Sequence, residues 1–303
     1  MKTLIALVKR NSKMFFKDKG MFFTAMITPL ILLFLYIAFL GNIYKDSFEM
    51  SFQGVSGITD EILNGCVGGQ LFASLLAVCC ITVSFCSNML MVQDKMLGTY
   101  KDFSTSPVKT STFAMGYYIA TFITTMLICL IACCACFIYL GIVGWYMSFS
   151  DILYILLDVT LLVMFGTALS SIINCFLSTQ GQMSAVGTIV SAGYGFICGA
   201  YMPISQFPIG LQRVISFLPG TYGTSLIKTH TMNGVFNELE SIGFPKEGIT
   251  QLKDSIDCNV YFFGKNVSIE IMYSIVLASV LLLILMYIFI NKIKDNKKLI
   301  KKV

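Results

Sequence analysis

Two long uncharged stretches constrain the fold of this chain more than any other feature. One runs from Ile62 to Gln93 and the other from Thr110 to Ser150, and neither contains Asp, Glu, Lys or Arg. A helix needs about 20 apolar residues to cross a bilayer core, so each stretch is long enough to hold a crossing. Soluble domains carry about 25% charged residues, whereas this chain of 303 residues carries 12% and is 56% hydrophobic. The sequence therefore predicts a membrane protein.

The crossings are expected to be helices, because a helix satisfies its own backbone hydrogen bonds inside the bilayer. Strands of a membrane barrel alternate apolar and polar residues, and the long continuous apolar runs exclude that pattern. The predicted fold class is therefore an all-α polytopic membrane protein, with a single transmembrane domain over residues 1–303. Six transmembrane helices are expected, at about residues 21–40, 63–92, 113–140, 152–177, 183–200 and 267–291.

Basic residues cluster at both ends of the chain, in residues 1–20 and 292–302. Lysine and arginine next to a crossing favour the cytoplasmic side, so both termini are expected in the cytoplasm of a multi-pass protein of a bacterial cell (plasma) membrane. Each basic run adjoins an apolar crossing, and nucleic-acid binding is not expected. Within residues 1–20, basic and apolar positions alternate at helical spacing, which predicts an amphipathic interfacial helix on the lipid bilayer.

The polar stretch between the second and third crossings, residues 93–112, is the first candidate functional segment and is expected in the cytoplasm. Gly98 can break a helix and Pro107 can start or end one. Between them, Tyr100, Phe103 and Ser104 stand at helical spacing. This pattern predicts a hinge followed by a short amphipathic helix that faces a soluble partner. The alternative is a solvated turn between two crossings.

A second candidate segment, residues 201–266, is expected outside as re-entrant helices followed by a polar loop. Pro203, Pro208 and Pro219 cut an apolar run that ends at Tyr222 into pieces too short to span. Such broken helices at membrane depth must be sheltered by protein or line a cavity. The alternative is an ordinary pair of interfacial helices. Short helices are expected in the polar loop at about 236–242 and 245–256.

Small residues and one acid mark two further features of the predicted crossings. Gly187, Ser191, Gly195 and Gly199 recur every four residues, a spacing that lets another helix approach closely, either within the subunit or across a dimer. Asp158 is the only acid well inside a predicted crossing, which makes it a functional candidate. The alternative is that Asp158 reaches the outer interface.

The positions of the eleven cysteines do not indicate a disulfide framework. Most lie in apolar runs, where cysteine behaves as a small hydrophobic residue. Cys66 and Cys258 are the two expected to face outside, and the sequence leaves open whether they are bridged. The only histidine is His230, so neither a metal site nor a nucleophile–base pair is expected. No catalytic residue is predicted.

Two of these stretches resemble a known family, the transmembrane permease subunits of type-2 ABC exporters. The loop Asp94-Lys95-x-x-Gly98-Thr99-Tyr100-Lys101-x-Phe103-x-x-Ser106-Pro107-Val108 is similar to the family's loop between the second and third crossings. The proline-broken stretch from Gly199 to Tyr222 is similar to its outer re-entrant helices. The sequence departs from the family pattern at Asp94, where glutamate is commoner, at Gly220, where a bulky residue is usual, and in a long loop before the last crossing.

The resemblance implies that the chain pairs with a second permease copy or a paralogue and binds two cytoplasmic ABC ATPase subunits. It also implies roles for four sets of residues. The ATPase coupling set is Asp94, Lys95, Gly98, Thr99, Tyr100, Lys101, Asp102, Phe103, Ser106, Pro107 and Val108. The helix-packing or dimer set is Gly187, Ser191, Gly195 and Gly199. The outer re-entrant gate is Pro203, Pro208, Pro219 and Tyr222. The candidate substrate pathway is Phe72, Phe85, Asp158, Tyr194 and Phe196, for which ordinary packing is the alternative.

The resemblance further implies export driven by ATP, with no cofactor bound by this chain. The chain has no G-x-x-x-x-G-K-S/T phosphate loop, so ATP and Mg²⁺ are expected in the partner ATPase. The apolar crossings favour an amphipathic or hydrophobic substrate such as a drug, a lipid or a peptide. Two alternatives are a stand-alone secondary transporter and a non-transporting immunity or sensor protein.

Overall fold

The computed structural model describes residues 1–52, 57–106 and 108–300. Its elements are almost all helices, with one two-stranded antiparallel hairpin. In chain order they are α1 (Lys2–Lys17), α2 (Lys19–Ser51), α3 (Asp60–Met96), α4 (Thr99–Thr105), α5 (Thr110–Val143), α6 (Phe149–Phe176), α7 (Gln180–Ile197), a 3-10 turn (Ile204–Gln206), α8 (Ile209–Ile215), α9 (Pro219–Ser241), α10 (Lys246–Ser255), β1 (Tyr261–Phe262), β2 (Lys265–Asn266) and α11 (Ile269–Ile300).

Five helices of the described chain are long and apolar enough to cross a membrane. They are α2, α3, α5, α6 and the part of α11 from Ile269 to Ile293. The prediction of an all-α polytopic membrane protein is therefore confirmed. The expected fifth crossing corresponds to α7, which is not among the five and opens on the polar residues Gln180 and Gln182. The number of six crossings and the side on which each terminus lies stay predictions.

Helix α3 forms the centre of the bundle. Its side chains from Ile62 to Ser87 are almost all buried, and it packs against α2, α5, α6, α7 and α9. Glycines allow this close packing: a methyl group added at Gly69 would lie 2.6 Å from the sulfur of Met232 on α9. Helices in lipid associate through close van der Waals contact rather than through a hydrophobic driving force. Replacing this glycine would therefore require the side chain of Met232 to move.

Asn88 interrupts α3 and joins it to two neighbouring helices. Its side-chain amide donates to the hydroxyls of Ser170 and Ser171 on α6 at 3.0 and 2.9 Å. Thr121 of α5 donates to its side-chain oxygen at 3.3 Å, and Asn174 of α6 donates to its backbone carbonyl at 3.1 Å. Buried polar groups need partners, so these bonds set the register of α3 against α5 and α6.

Helix α9 differs from the sequence prediction. It starts at Pro219 and runs unbroken to Ser241, and the side chains from Gly220 to Lys228 are buried. It packs against α3, α6 and α11. The short helix expected near 236–242 is thus the end of a long helix, and residues 223–241 are helical rather than a loop. Their location outside the membrane stays a prediction. The helix expected at about 245–256 is present as α10.

The cysteines carry no disulfide. All eleven are free thiols, and Cys66 and Cys258 are both buried without being bridged to each other. Burial raises the pKa of the Cys258 thiol to about 12, so this thiol stays protonated at neutral pH. Cysteine acts here as a small hydrophobic residue, in line with its usual behaviour in protein cores.

Candidate functional site

The connecting segment, residues 97–109, joins α3 to α5. Gly98 has a φ of 82°, in the left-handed region that glycine adopts without a steric penalty, and it separates α3 from α4. Leu97 is 76% exposed and Met96 is 44% exposed. The expected helix break at Gly98 and the short helix are therefore both present, beside exposed apolar side chains, and the role of Gly98 as a hinge stays a prediction. Pro107 lies outside the described residues, and of Lys101 the structure describes only its place in α4.

Asp94, at the end of α3, ties three helices together although it is almost fully buried. Arg10 of α1 donates to both carboxylate oxygens, from Nη1 at 2.5 Å and from Nη2 at 2.8 Å. The hydroxyl of Tyr117 on α5 donates to Oδ2 at 2.5 Å. Such two-pronged arginine–carboxylate pairs fix orientation as well as adding energy. The hydrogen bond to Asp94 raises the pKa of Arg10, which keeps the guanidinium charged.

Arg10 also reaches the connecting segment. Its guanidinium carbon lies 5.1 Å from the ring centroid of Phe103 on α4, within the range of a cation–π contact. Phe103 in turn stacks on Phe113 of α5, with centroids 5.3 Å apart and planes inclined by 17°. We call Arg10, Asp94, Tyr117 and Phe103 the Arg10 clamp. Through this clamp, α1 and α5 contact the end of α3, and α4 contacts α1.

Lys95 occupies a position that the sequence did not suggest. Its Nζ donates to the backbone carbonyls of Asn174, Cys175 and Leu177 at 2.6, 3.0 and 2.9 Å. These carbonyls end α6, where the last turn of a helix has no backbone partners and a cation is favourable for the helix dipole. The structure thus places Lys95 as the cap of α6, and its contact with an ATPase stays a prediction.

The rest of the connecting segment is divided between exposed and half-buried side chains. Asp102 and Thr105 face solvent on α4. Thr99, Tyr100 and Val108 are half-buried. The hydroxyl of Ser106 donates to the backbone carbonyl of Phe103 at 2.7 Å, which ends the short helix. Asp102 is thus the charged side chain of α4 that the structure shows on the surface.

A groove of about 1380 Å³ runs between α2 and α7. It extends from Asp18 and Gln93 at the end of the bundle near the connecting segment to Ser47 and Ser255 at the opposite end. Most of its other lining side chains are apolar, with hydroxyl and amide groups between them. Asp18 is the only charged residue among the described lining residues, and its carboxylate accepts from the backbone N–H of Met21.

The aromatic residues expected along a substrate pathway do not all reach this groove. Phe196 lines it and is 50% exposed. Phe72 and Phe85 are buried in the core, and Phe72 packs on Phe137 with ring centroids 5.3 Å apart. Tyr194 is half-buried and its hydroxyl lies 3.5 Å from the backbone carbonyl of Gly220. Phe196 is therefore the one of the four aromatics that a molecule in the groove would meet.

The row of small residues on α7 is divided between two environments. Gly187 and Ser191 line the groove. Gly195 is covered by its own chain, because a methyl group there would lie 2.2 Å from the ring of Tyr201. Gly199 follows the end of α7 with a φ of 74°. The row is thus not one continuous contact stripe, since its second half fits a turn within the subunit.

The proline-rich stretch is broken into short helices, as its prolines indicate. Pro203 directly precedes the 3-10 turn, Pro208 directly precedes α8, and Pro219 is the first residue of α9. Tyr222 lies inside α9, and its hydroxyl donates to the carbonyl of Ser216 at 2.6 Å. Proline suits the start of a helix because its missing N–H has no helical partner there. A re-entrant position in the membrane stays a prediction.

Comparison with known families agrees with a helical membrane protein. A family model described as ABC-2 type transporter matches residues 2–229, which is more than half of the chain. The chain belongs to the ABC-2 type transporter family. It is a transmembrane permease component of an ABC transporter, as the resemblance of its two stretches implied. No curated protein matches the chain.

The ABC-2 permease contains a buried polar cluster that sequence reasoning missed. His230 Nδ1 on α9 lies 2.7 Å from Oδ2 of Asp158 on α6. The hydroxyl of Tyr273 on α11 donates to Oδ1 of the same carboxylate at 2.6 Å. Asp158 is therefore buried between helices and does not line the groove. One signal in the sequence could have indicated this pair. An acid inside a crossing needs a partner, and the sequence holds a single histidine.

A second buried ion pair of the permease lies next to the proline-rich stretch. Lys228 Nζ donates to Oδ2 of Asp257 at 3.2 Å and to the carbonyl of Gly199 at 2.7 Å. The carboxylate of Asp257 also accepts from the backbone N–H of Ile204 at 2.9 Å. The pair compensates the charge of Lys228 and explains how a helix with a lysine at its centre lies inside the bundle.

Proposed function

We propose that this permease is the membrane subunit of an ATP-driven exporter and that α4 docks on separate ATPase subunits. The observation that carries the proposal is the Arg10 clamp, which fastens the exposed connecting segment to α1, α3 and α5. Short exposed helices held by a rigid contact are suited to receive a force from a partner. Membership of the ABC-2 family supports this assignment.

The contacts suggest how movement would pass from α4 into the bundle. Phe103 on α4 lies against Arg10, whose guanidinium holds Asp94 at the end of α3. Lys95, the next residue, holds the last carbonyls of α6. A displacement of α4 would therefore act on α1 and α3 directly and on α6 through one further residue. Gly98 supplies the backbone freedom for α4 to tilt without bending α3.

ATP and Mg²⁺ belong to the partner in this proposal, because the chain has no phosphate-binding loop of the G-x-x-x-x-G-K-S/T type. Two ATPase subunits would bind at the end of the bundle that carries α4, which we place in the cytoplasm together with both termini. The basic residues at the two chain ends support that orientation. The protein would then reside in the cell membrane of a bacterium.

The groove between α2 and α7 is our candidate for the substrate path. Its lining combines apolar side chains with uncharged polar groups such as Thr188, Ser191 and Tyr201. Such a surface favours an amphipathic or hydrophobic substrate, for example a drug, a lipid or a peptide, over a highly charged solute. A second permease copy or a paralogue would cover the open side of the groove.

Co-purification in a mild detergent tests the docking proposal. Tagged wild-type protein should recover an ATPase in about equal amount from its native membranes. Leu97→Asp combined with Asp102→Arg should lower that recovery at least tenfold, because both side chains are exposed beside or on α4. Glu247→Arg on α10, also exposed but at the opposite end, serves as the matched control and should recover the ATPase normally.

Two results would overturn this assignment. Unchanged ATPase recovery with the double variant would show that α4 is not the docking surface. Wild-type protein free of any ATPase, under conditions that preserve other membrane complexes, would instead favour a stand-alone secondary transporter or a non-transporting immunity or sensor protein.

A further inference from the structure

We propose that Asp158 and His230 form a proton-binding site inside the helix bundle, and that the bound proton fastens α9 to α6 and α11. In this site the imidazole of His230 carries the proton and Asp158 is its counter-ion. Nothing in the proposed docking of an ATPase requires such a site, and the two proposals stand independently of each other.

The geometry is that of a buried ion pair to which three helices contribute. The carboxylate uses one oxygen for His230 at 2.7 Å and the other for the hydroxyl of Tyr273 at 2.6 Å. The side chain of Asp158 is fully buried and that of His230 is 9% exposed. Three helices that are far apart in sequence meet at this point, because Asp158, His230 and Tyr273 lie on α6, α9 and α11 respectively.

The carboxylate needs a positive partner because it lies among apolar helices. A lone ionised group at such depth is strongly unfavourable, and acids inside membrane segments are normally paired. The hydroxyl of Tyr273 supplies a hydrogen bond but no charge. One proton bound by the pair makes it neutral overall, and we assign that proton to His230 because histidine is the side chain that gains or loses its charge between pH 5 and 8.

No other cation competes for Asp158 among the residues that the structure describes on the packed helices. Helix α3 has no lysine, arginine or histidine between Ile62 and Gln93. Lys228, two residues from His230 on α9, points its ammonium at Asp257 and at a backbone carbonyl. These observations leave His230 as the cation of the pair.

Three further titratable groups described on these helices have partners of their own, face outward or are buried thiols. Asp151 on α6 accepts from Asn233 and from the N-terminus of its own helix. Glu270, at the start of α11, is exposed. Cys66 of α3 is a buried thiol. None of them carries a charge toward the imidazole that could replace Asp158.

Two tyrosine rings flank the imidazole and favour its charged form. Tyr154 of α6 stacks on His230 with centroids 4.8 Å apart and planes inclined by 17°, and the ring of Tyr273 lies 6.2 Å away. The faces of aromatic rings attract cations at such distances. The environment of His230 thus provides a carboxylate in one direction and π-electron density in two others.

The proton should make the fold more stable on the acid side of neutrality. A histidine that binds its proton more tightly in the folded protein than in the unfolded chain stabilises the fold at acid pH. That contribution disappears as the pH rises and the folded protein loses the proton, which leaves Asp158 charged and unpaired. We therefore expect the unfolding temperature of the wild-type protein to fall as the pH rises, and to fall less in Asp158→Asn.

The single histidine makes a direct test simple. With a histidine-free affinity tag, protein labelled with ¹⁵N-histidine contains one imidazole, and its nitrogen shifts report its charge at each pH. We expect a charged imidazole at pH 7 in the wild type. Asp158→Asn, which keeps the shape and one acceptor, should require at least a tenfold higher proton concentration to charge the same ring.

Two controls separate a bound proton from an ordinary structural contact. Asp151→Asn removes a second buried carboxylate of α6 that does not touch His230, and it should leave the charge of the imidazole as in the wild type. Tyr273→Phe removes the hydroxyl but not the ring, and the imidazole should remain charged at pH 7.

The proposal fails if the wild-type imidazole is neutral at pH 7, a result that needs no variant to fold. It also fails if Asp158→Asn charges over the same pH range as the wild type. An unfolding temperature that falls equally with pH in the wild type and in Asp158→Asn would likewise overturn it, because the loss would then come from other groups.

Discussion

Arg10 shows how one side chain can organise a junction of helices. It is half-buried, it meets both oxygens of Asp94, and its flat guanidinium lies over the ring of Phe103. Lysine offers neither the fork nor the flat surface. Its neighbour Lys9 is exposed and belongs to the basic face that the alternating pattern of residues 1–20 predicted. The pattern indicated the helix, but the role of Arg10 depends on Asp94, 84 positions away.

Arg10→Ala should destabilise the protein by about 2 kcal/mol, because it leaves the buried carboxylate of Asp94 without its charged donor. Thermal unfolding in detergent measures the change. Lys9→Ala is the matched control from the same helix and should change stability by less than about 0.5 kcal/mol. Equal losses in the two variants would mean that the clamp adds nothing beyond the general charge of α1.

At the scale of elements, long apolar runs were enough to predict helices. A helix whose polar groups are paired inside the protein could not be predicted in this way. The glycine and proline of the connecting segment were enough to predict a hinge and a short helix. Most of helix α9 was read as a loop because it carries polar residues such as Lys228 and His230, and their partners Asp257 and Asp158 come from distant parts of the chain. Local sequence cannot show which polar groups will find each other.

The hinge leads to a prediction about two glycines that both have open space around them. Gly98 has a φ of 82°, whereas Gly193 is an ordinary residue of α7, and a methyl group added at either would meet nothing within 4 Å. Gly98→Ala should therefore cost about 1 kcal/mol from backbone strain alone. Gly193→Ala should stabilise α7 by about 0.5–1 kcal/mol, and unfolding in detergent compares the two. The same sign for both would remove the argument for a left-handed hinge.

At the scale of the whole molecule, composition alone predicted the membrane class, and two short motifs predicted the ABC-2 family. The groove could not be predicted, since it arises from the distance between α2 and α7 and not from any run of residues. The aromatic residues proposed for a substrate pathway were selected because they lie on predicted crossings. Two of them, Phe72 and Phe85, are core residues that do not line the groove. Their burial shows that being aromatic on a crossing does not indicate which way a side chain faces.

Filling the groove provides a test at this scale. Thr188→Trp places a large ring in the groove, whereas Ile189→Trp replaces an exposed neighbour that does not line it. Binding of a neutral, polarity-sensitive dye to the purified permease should weaken about tenfold in the first variant, a change of about 1.4 kcal/mol. The second variant should bind the dye as the wild type does. Equal binding in both would show that the groove is not where such molecules enter.

Lys228 has a consequence for how parts of the molecule can move against each other. One ammonium holds the carbonyl at the end of α7 and the carboxylate of Asp257, which in turn holds the start of the 3-10 turn. The end of α7 and the 3-10 turn are close in sequence, whereas Lys228 and Asp257 come from later parts of the chain. We therefore expect α7, the 3-10 turn and α9 to travel as one rigid body, with the opposite wall, α2, as the part that swings. The width of the groove would then depend on a single angle, set by α2.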